Sequence, residues 1–394
     1  MFENLKALPP DAILKLINEH RDDPRDNKID LGVGVYRDEE GRTPILDTVK
    51  KAERWLVAGQ STKAYLGSGG DPRFNAAMQD MIFGAESSAN NRLATLQTPG
   101  GSGSLRVAAG LILRARPAAS VWASDPTWAN HVPLLGGAGI SLQAYPYYDT
   151  ERSSICFEKM LETLASAPRG DIVLLHGCCH NPTGMDLVRE QWQELADVMA
   201  ERDLLPFIDI AYQGFAESLD VDAFAPRHFV ERFPEMLVSA SCSKNFGLYR
   251  ERVGTLSILA DSAATVSRVH SQAMNIVRTM YSMPPDHGAA IVGRILGDTE
   301  LRKEWQAEVE GMRSRLKGMR SLLSGALREQ APGRDFSHLE RANGMFSFLG
   351  VSAAQVARLK KDFGVYMVDS SRINVAGITR DNVEYLAEAV AAVL

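Results

Sequence analysis

The sequence predicts an α/β protein with a mostly parallel sheet, and three observations support this fold class. Short apolar runs recur through the middle of the chain, at Val121–Ala123, Ile172–Leu175, Leu205–Ile208, Met236–Val238 and Leu256–Leu259. Their unbroken apolar character is typical of strands that are buried on both faces. Helical patterns lie between some of these runs, and strands that alternate with helices favour parallel pairing. A chain of 394 residues can also bury a large core.

Helical periodicity is clearest in three places. A stripe at 188–199 has apolar residues on one helical face. Apolar residues then recur every three or four positions from Leu301 to Leu323, which predicts a helix long enough to run from one domain into another. A last helix is expected to begin near Asp381.

These elements predict two domains. A large domain at residues 44–311 would hold the central sheet. Residues 1–43 would form an N-terminal arm and the first part of a smaller α+β domain, and residues 312–394 would form its second part. Strands are expected in that second part at Gly344–Leu349 and Val365–Val368.

Composition excludes several classes of function. The net charge of −6 gives no sign of the basic face that nucleic-acid binding requires. No run of about 18 apolar residues exists, so no membrane span is expected, and the N-terminal segment does not read as a signal peptide. Four cysteines in so long a chain, two of them adjacent, fit a reducing compartment. The sequence therefore predicts a cytoplasmic protein.

The segment around Lys244 carries the strongest chemical signal. Lys244 follows an apolar strand, is flanked by Ser241 and Ser243, and precedes Arg252 by eight residues. Burial and neighbouring positive charge lower the pKa of an amine, which an amine nucleophile needs. The hydroxyls and the guanidinium suit a phosphate. An exposed lysine in a polar loop is the alternative interpretation of this segment alone.

Two other segments also suggest a bound ligand. Gly100, Gly101 and Gly103 form a predicted glycine-rich turn before a helix, whose free N–H groups would bind a phosphate. Asp209 ends an apolar strand three residues before Tyr212, and a buried carboxylate needs a cationic partner. An ordinary loop and an aspartate that caps a turn are the respective alternatives.

The segment His176–Gly184 combines imidazoles and thiols, but its cysteines are adjacent rather than spaced for one ion. We therefore predict no metal site, and interpret Asn181–Gly184 as a turn that presents the Asn181 amide to a ligand. Arg372 and Arg278 are candidates for binding carboxylates, although single arginines are more often structural or solvated.

Together these segments resemble the class I, fold-type I aminotransferases, in the group of aspartate and aromatic amino-acid aminotransferases. The likeness covers essentially the whole chain, and its most specific parts are Ser243–Gly247, Arg252–Gly254, Asn181–Gly184 and Ser371–Gly377. The resemblance implies a seven-stranded, mostly parallel sheet between helices, a smaller α+β domain and the cofactor pyridoxal 5′-phosphate. It also implies a homodimer with shared active sites.

The resemblance further assigns residue roles. Lys244 would form the Schiff base with the cofactor and move the substrate Cα proton. Asp209, supported by His131, would pair with the protonated ring nitrogen. Trp128 would stack on the ring and contact the substrate, and Asn181 and Tyr212 would bond to the phenolic oxygen. The phosphate would be bound by Gly101, Ser102, Ser241, Ser243 and Arg252. Arg372, near Gly34 and Asn181, would bind the α-carboxylate, and Tyr65 and Arg278 would reach into the active site of the neighbouring subunit.

For substrates, the resemblance implies ping-pong transamination through pyridoxamine phosphate, with amino acids and 2-oxo acids as partners. Ser102 and Met283 lie where aspartate-specific members often carry Thr and Asn. They favour an aromatic aminotransferase that uses phenylalanine, tyrosine or tryptophan with 2-oxoglutarate and keeps activity on aspartate and glutamate. Val35, Thr43 and Ala64 do not reproduce the substitutions of the enterobacterial tyrosine enzyme, so a strict aspartate aminotransferase is the alternative.

Two further classes are considered. A non-catalytic ligand-binding protein of the same fold usually lacks the lysine or carries an added DNA-binding domain, and this chain has neither feature. A nicotinamide-dependent dehydrogenase would need a complete glycine fingerprint, and Arg106 takes the place of its third glycine.

Overall fold

A computed structural model describes residues 1–8, 12–88 and 90–394 of the chain. Its α-helices are α1 Ala12–Asp22, α2 Asp47–Gly59, α3 Pro72–Phe83, α4 Ala85–Ser88, α5 Gly100–Ala115, α6 His131–Gly136, α7 Phe157–Ala165, α8 Arg189–Glu201, α9 Phe224–Arg232, α10 Ala263–Met280, α11 Asp286–Gly297, α12 Thr299–Gln330, α13 His338–Arg341, α14 Ala353–Phe363 and α15 Val383–Val393. Its strands are β1 Ile29–Asp30, β2 Leu93–Pro99, β3 Ser120–Asp125, β4 Ser141–Pro146, β5 Tyr148–Asp149, β6 Ser154–Ile155, β7 Ile172–His176, β8 Leu205–Ile210, β9 Met236–Ser241, β10 Val253–Leu259, β11 Phe346–Phe348, β12 Val365–Tyr366 and β13 Arg372–Asn374. Short 3₁₀ helices lie at Phe2–Asn4 and Val375–Gly377.

A seven-stranded sheet organises the fold, with strand order β2-β10-β9-β8-β7-β3-β4. Neighbours from β9 to β4 pair in parallel, and β10 is antiparallel to both β9 and β2. Along β7, Ile172 and Leu174 join one apolar cluster with α5 and α10, whereas Val173 and Leu175 join a second cluster on the other face. Burial of both faces explains the unbroken apolar runs, and the α/β prediction is confirmed.

Each predicted central strand lies within a strand of this sheet. The direction of β10 departs from the expected parallel pairing, because residues 242–252 between β9 and β10 are too few for a crossover helix. The outer strands β2 and β4 had no predicted counterpart. Edge strands pack less completely, and β4 accordingly exposes Ser141, Gln143 and Ala144 instead of presenting an apolar run.

The C-terminal elements follow the predicted pattern with shorter bounds. Helix α12 contains the long stripe, and α15 begins at Val383, two residues after the expected start. The strands at 344–349 and 365–368 shrink to β11 and β12, which pair with β13 and β1 respectively. The division at residues 43 and 311 stays a prediction. Among the described residues, no helix is both long and apolar enough to cross a membrane.

Candidate active site

A cavity of about 230 Å³ opens at the edge of the sheet where β7, β8 and β9 end and α5 begins. Parallel strands bring their carboxyl ends to one edge, which is where ligands bind in open α/β sheets. The cavity is lined by Gly34, Gly101, Ser102, Trp128, His176, Cys178, Asn181, Asp209, Ala211, Tyr212, Ser241, Ser243, Lys244, Tyr249 and Arg252.

Lys244 extends into this cavity from the loop after β9. Its Nζ lies 4.7 Å from the centroid of the Tyr212 ring. Removal from water lowers the pKa of the amine to about 8, the nearby Asp209 opposes this shift, and the positive charge of Arg252 adds to it. A substantial fraction of the amine is therefore neutral, and nucleophilic, near neutral pH.

Asp209, at the end of β8, is held by a chain of polar contacts. Its Oδ2 lies 3.0 Å from His131 Nε2, and Nδ1 of the same ring lies 2.8 Å from the Thr127 hydroxyl. A carboxylate only accepts, so His131 Nε2 donates to Asp209. Burial alone would raise the pKa of Asp209, but the His131 bond and nearby positive charge outweigh it and lower the pKa. The site therefore keeps an ionised carboxylate in its interior.

Hydroxyls, a guanidinium and a helix N-terminus form an anion cradle beside Lys244. Ser241 ends β9 and Ser243 follows in the next loop, with their hydroxyl oxygens 3.1 Å apart. Arg252 Nη1 lies 3.5 Å from the Ser243 hydroxyl. Helix α5 begins at Gly100, and a Cβ at that position would lie only 2.5 Å from the Arg252 guanidinium. Glycine thus lets the first turn of α5, with its unpaired N–H groups, approach the cation closely.

Arg372 lies behind Tyr212, at the start of β13. One Nη donates to the Gly32 carbonyl at 2.7 Å, and the guanidinium stacks 4.4 Å above the Phe346 ring. Among the described residues, its buried Nε has no hydrogen-bond partner, so the guanidinium keeps unused donor capacity.

Comparison with known proteins decides the family. The model for "Aminotransferase class I and II" matches residues 26–390. This chain belongs to that aminotransferase family. It is 48% identical to an aspartate aminotransferase of Salmonella typhi over the full length of both chains. It is 46% identical to an aromatic-amino-acid aminotransferase of Pseudomonas aeruginosa, over 100% of this chain and 98% of that protein.

Solved aminotransferases share the whole fold. The aromatic-amino-acid aminotransferase of Burkholderia pseudomallei, described as covalently bound to pyridoxal phosphate, superposes with a TM-score of 0.98 at 43% identity, covering 100% of this chain and 99% of that one. The predicted resemblance to class I, fold-type I aminotransferases is therefore confirmed.

Most of the aminotransferase residues expected from the sequence meet at the cavity, and the exceptions are informative. His131 does not line the cavity but contacts Asp209, which does. Arg372 does not line the cavity either, although it interacts electrostatically with the lining residue Tyr212. Tyr65 is 91% exposed, and Arg278 is exposed at the end of α10, where it donates to the Ser282 hydroxyl. Neither residue lines the cavity of its own chain.

Four lining residues were not assigned to the site from the sequence: His176, Cys178, Ala211 and Tyr249. His176 pairs in register with Asp209, so the strand-end argument for Asp209 also applies to it. Ala211 directly follows the end of β8, and Cys178 is the second residue after β7. Tyr249 gave no comparable signal, because it does not adjoin a strand end and its hydroxyl accepts from the N–H of Tyr36, 213 positions away.

The expected glycine-rich turn before a helix is instead the first turn of α5, which begins at Gly100. The thiols of Cys178 and Cys179 lie within 4.8 Å of an Asp222 oxygen. Both oxygens of Asp222 already accept backbone N–H groups from the turn at residues 214–218, so little acceptor capacity is left for an ion.

Proposed function

We propose that this aminotransferase binds pyridoxal 5′-phosphate through Lys244 and transfers the amino group of aromatic amino acids to 2-oxoglutarate, with retained activity on aspartate and glutamate. The observation that carries the proposal is the position of the Lys244 amine. It lies in one cavity with the ionised Asp209 and the anion cradle.

The residues fit the cofactor group by group. The cradle of Ser241, Ser243, Arg252 and the start of α5 suits the phosphate, and Gly101 and Ser102 add backbone and hydroxyl donors. Asp209 would hold a protonated ring nitrogen. Trp128 would cover the ring, since it lies on the cavity wall and packs edge-on against His131 at 5.1 Å. Asn181 and Tyr212 would donate to the phenolic oxygen.

When bound, the cofactor supplies an electron sink for the charge that develops at the substrate Cα. The chain supplies positioning and proton transfer. Arg372 would hold the α-carboxylate, with the cavity residues Asn181 and Gly34 close to that group. The neutral Lys244 amine then accepts the Cα proton and returns it, which is the work of a general base whose pKa is near the operating pH.

The lowered pKa of Lys244 predicts the pH dependence of cofactor attachment. The neutral amine attacks, so attachment to apoenzyme should accelerate about tenfold per pH unit below pH 8 and level off above it. Stopped-flow absorbance between pH 7 and 10 measures this rate. Free Nα-acetyl-lysine is the control, because its rate should keep rising toward its ordinary pKa. A rate for the enzyme that rises steadily to pH 10 would contradict the lowered pKa.

Arg372→Ala should lower kcat/KM by about 10²–10³-fold, the cost of deleting one partner of a buried charged pair. The loss should be equal for phenylalanine and aspartate, because both present the same α-carboxylate. Steady-state assays with each donor measure it, and Arg152→Ala, at a side chain that is 83% exposed, is the matched control. A loss confined to aspartate would move Arg372 from the α-carboxylate to the side-chain carboxylate.

The proposed range of substrates depends on the surface that carries Arg278. Arg278 donates to the hydroxyl of Ser282, and Met283 is the next residue in the chain. The sulfur of Met283 is 3.1 Å from the Leu66 amide nitrogen. The apolar thioether of Met283 can make a favourable contact with the aromatic side chain of a substrate. An amide at this position would not make that contact. The identities to aspartate and aromatic enzymes are nearly equal, so a strict aspartate aminotransferase is the second candidate.

The deciding experiment is a half-reaction without an oxo acid. Enzyme in its pyridoxal form is mixed separately with phenylalanine and with aspartate, and loss of the lysine-linked cofactor absorbance is followed. Rapid conversion by both donors is the expected result. Conversion by aspartate alone would support the second candidate.

We also propose a homodimer in the cytoplasm. The exposed Tyr65 and Arg278 would complete the partner's cavity, since neither lines its own. The four cysteines, all within the described residues, are free thiols, as expected in a reducing compartment.

A further inference from the structure

Two chain segments that support the substrate-binding groups lock together behind the cavity. The 176–186 loop leaves β7 and carries Asn181, and the 339–348 segment leads into β11 and places Phe346 under Arg372. The backbone N–H of Asn343 donates to the Gly184 carbonyl at 2.6 Å. The two backbones are also in close contact, because a Cβ at Gly184 would lie 2.3 Å from the Phe346 carbonyl oxygen.

Asp186 connects the two segments through its carboxylate. Within its own loop it accepts from the backbone N–H groups of Cys179 and His180, at 2.9 and 2.8 Å. From the other segment it accepts the Asn343 side-chain amide at 3.1 Å. Burial raises the pKa of Asp186 to about 6, so the group is ionised at pH 8 and can accept all three bonds. The residue that follows His180 is Asn181.

Arg320, buried in α12, fixes the other segment. Its guanidinium donates to the carbonyls of Leu339, Asn343, Gly344 and Phe346 and to the hydroxyl of Ser347. These hydrogen bonds fix the backbone of the 339–348 segment, and with it the position of the Phe346 ring. Because the Arg372 guanidinium stacks on that ring, Arg320 also helps to fix the position of the guanidinium.

We propose that Asp186 and Asn343 are positioning residues that tie the Asn181 loop to the Arg320-anchored segment under Arg372. The contacts form one continuous path, from Asn181 through its neighbour His180 to Asp186, then through Asn343 and Arg320 to Phe346 and Arg372. Neither Asp186 nor Asn343 lines the cavity.

The path matters because two distant chain segments must hold one carboxylate. A carboxylate bound between Arg372 and Asn181 requires a fixed distance between them, and misplacement by about 1 Å costs catalysis heavily. The proposal rests on the proposed function, which assigns the α-carboxylate to these two residues. Spatial continuity alone does not demonstrate coupling, so the test measures the coupling itself.

The experiment is a double-mutant cycle on the cofactor-bound enzyme at pH 8 with Asp186→Asn, Asn343→Ala and the double variant. Calorimetry measures binding of 3-phenylpropionate or succinate, the deaminated analogues of phenylalanine and aspartate, whichever binds wild type more tightly. Affinity for the cofactor is measured in parallel. Asp171→Asn is the matched control, since Asp171 is a buried carboxylate that accepts from Ser120 N and Trp122 Nε1 at the opposite edge of the sheet.

Each single variant should weaken the analogue about 10-fold, and the double variant should be no weaker than the weaker single, the signature of coupled neighbours. Cofactor affinity should fall clearly less than analogue affinity, because Asn181 is only one of several proposed cofactor contacts and the anion cradle lies off the path. Unchanged analogue affinity, additive losses, a parallel loss of cofactor, or the same loss in Asp171→Asn would each overturn the proposal. Failure of wild type to bind cofactor or analogue would instead refute the proposed function.

Discussion

Lys244→Ala should reduce transamination by at least about 10⁴-fold, because the variant loses both the covalent anchor of the cofactor and the base that moves the Cα proton. Among the residues that the structure describes, no other lysine lines the cavity. The residual rate is best measured in a single-turnover half-reaction with each amino donor. The visible absorbance of a lysine-linked cofactor should also disappear, and dialysis should remove the cofactor.

Lys317→Ala provides the control, since Lys317 is an exposed residue of α12. It should retain full activity and cofactor. Persistence of a lysine-linked cofactor in Lys244→Ala would show that another amine carries it and would refute the central assignment.

Asp209→Asn should be the second most damaging substitution, with kcat lowered by about 10²–10³-fold. An amide has nearly the shape of a carboxylate but cannot offset a buried positive charge, and deletion of one partner from a buried pair costs about 3–5 kcal/mol. The His131 contact at 3.0 Å would remain available to the amide oxygen, so the fold of the site should survive. Pre-steady-state rates with aspartate measure the effect on the proton-transfer half-reaction.

A comparison with Asp171→Asn separates charge from folding, because that variant also neutralises a buried aspartate but lies away from the cavity. Its rate should match wild type even where its melting temperature falls. An Asp209→Asn enzyme with a wild-type rate would mean that the ring nitrogen needs no charged partner here.

The parts of the fold that could be predicted are those whose burial leaves a recognisable pattern in the local sequence. Strands buried on both faces leave unbroken apolar runs, and polar residues that follow such runs, such as Asp209 and Lys244, must lie at a sheet edge. The antiparallel direction of β10 could have been predicted from the short connection at residues 242–252, which cannot hold a crossover helix. The apolar pattern of the strand does not indicate its direction.

Other features depend on contacts between residues that are distant in sequence. The hydrogen bond between Asp186 and Asn343 spans 157 positions, and no local pattern announces it. The unpartnered Nε of Arg372 likewise becomes visible only when the Phe346 ring and the Gly32 carbonyl are in place. The roles of individual site residues came from the resemblance to a family, and residues such as Tyr249 stayed outside it.

The antiparallel strand β10 has a consequence for assembly. It starts at Val253, which pairs with Pro99 at the end of β2, while Gly254 pairs with Ser241 at the end of β9. Arg252, the start of α5 and the β9 serines therefore meet only once β10 has been inserted between β2 and β9. A chain that stops short of β10 therefore lacks a complete anion cradle. If the anion cradle holds the cofactor phosphate as proposed, bound cofactor stabilises by mass action only molecules whose seven-stranded sheet is complete.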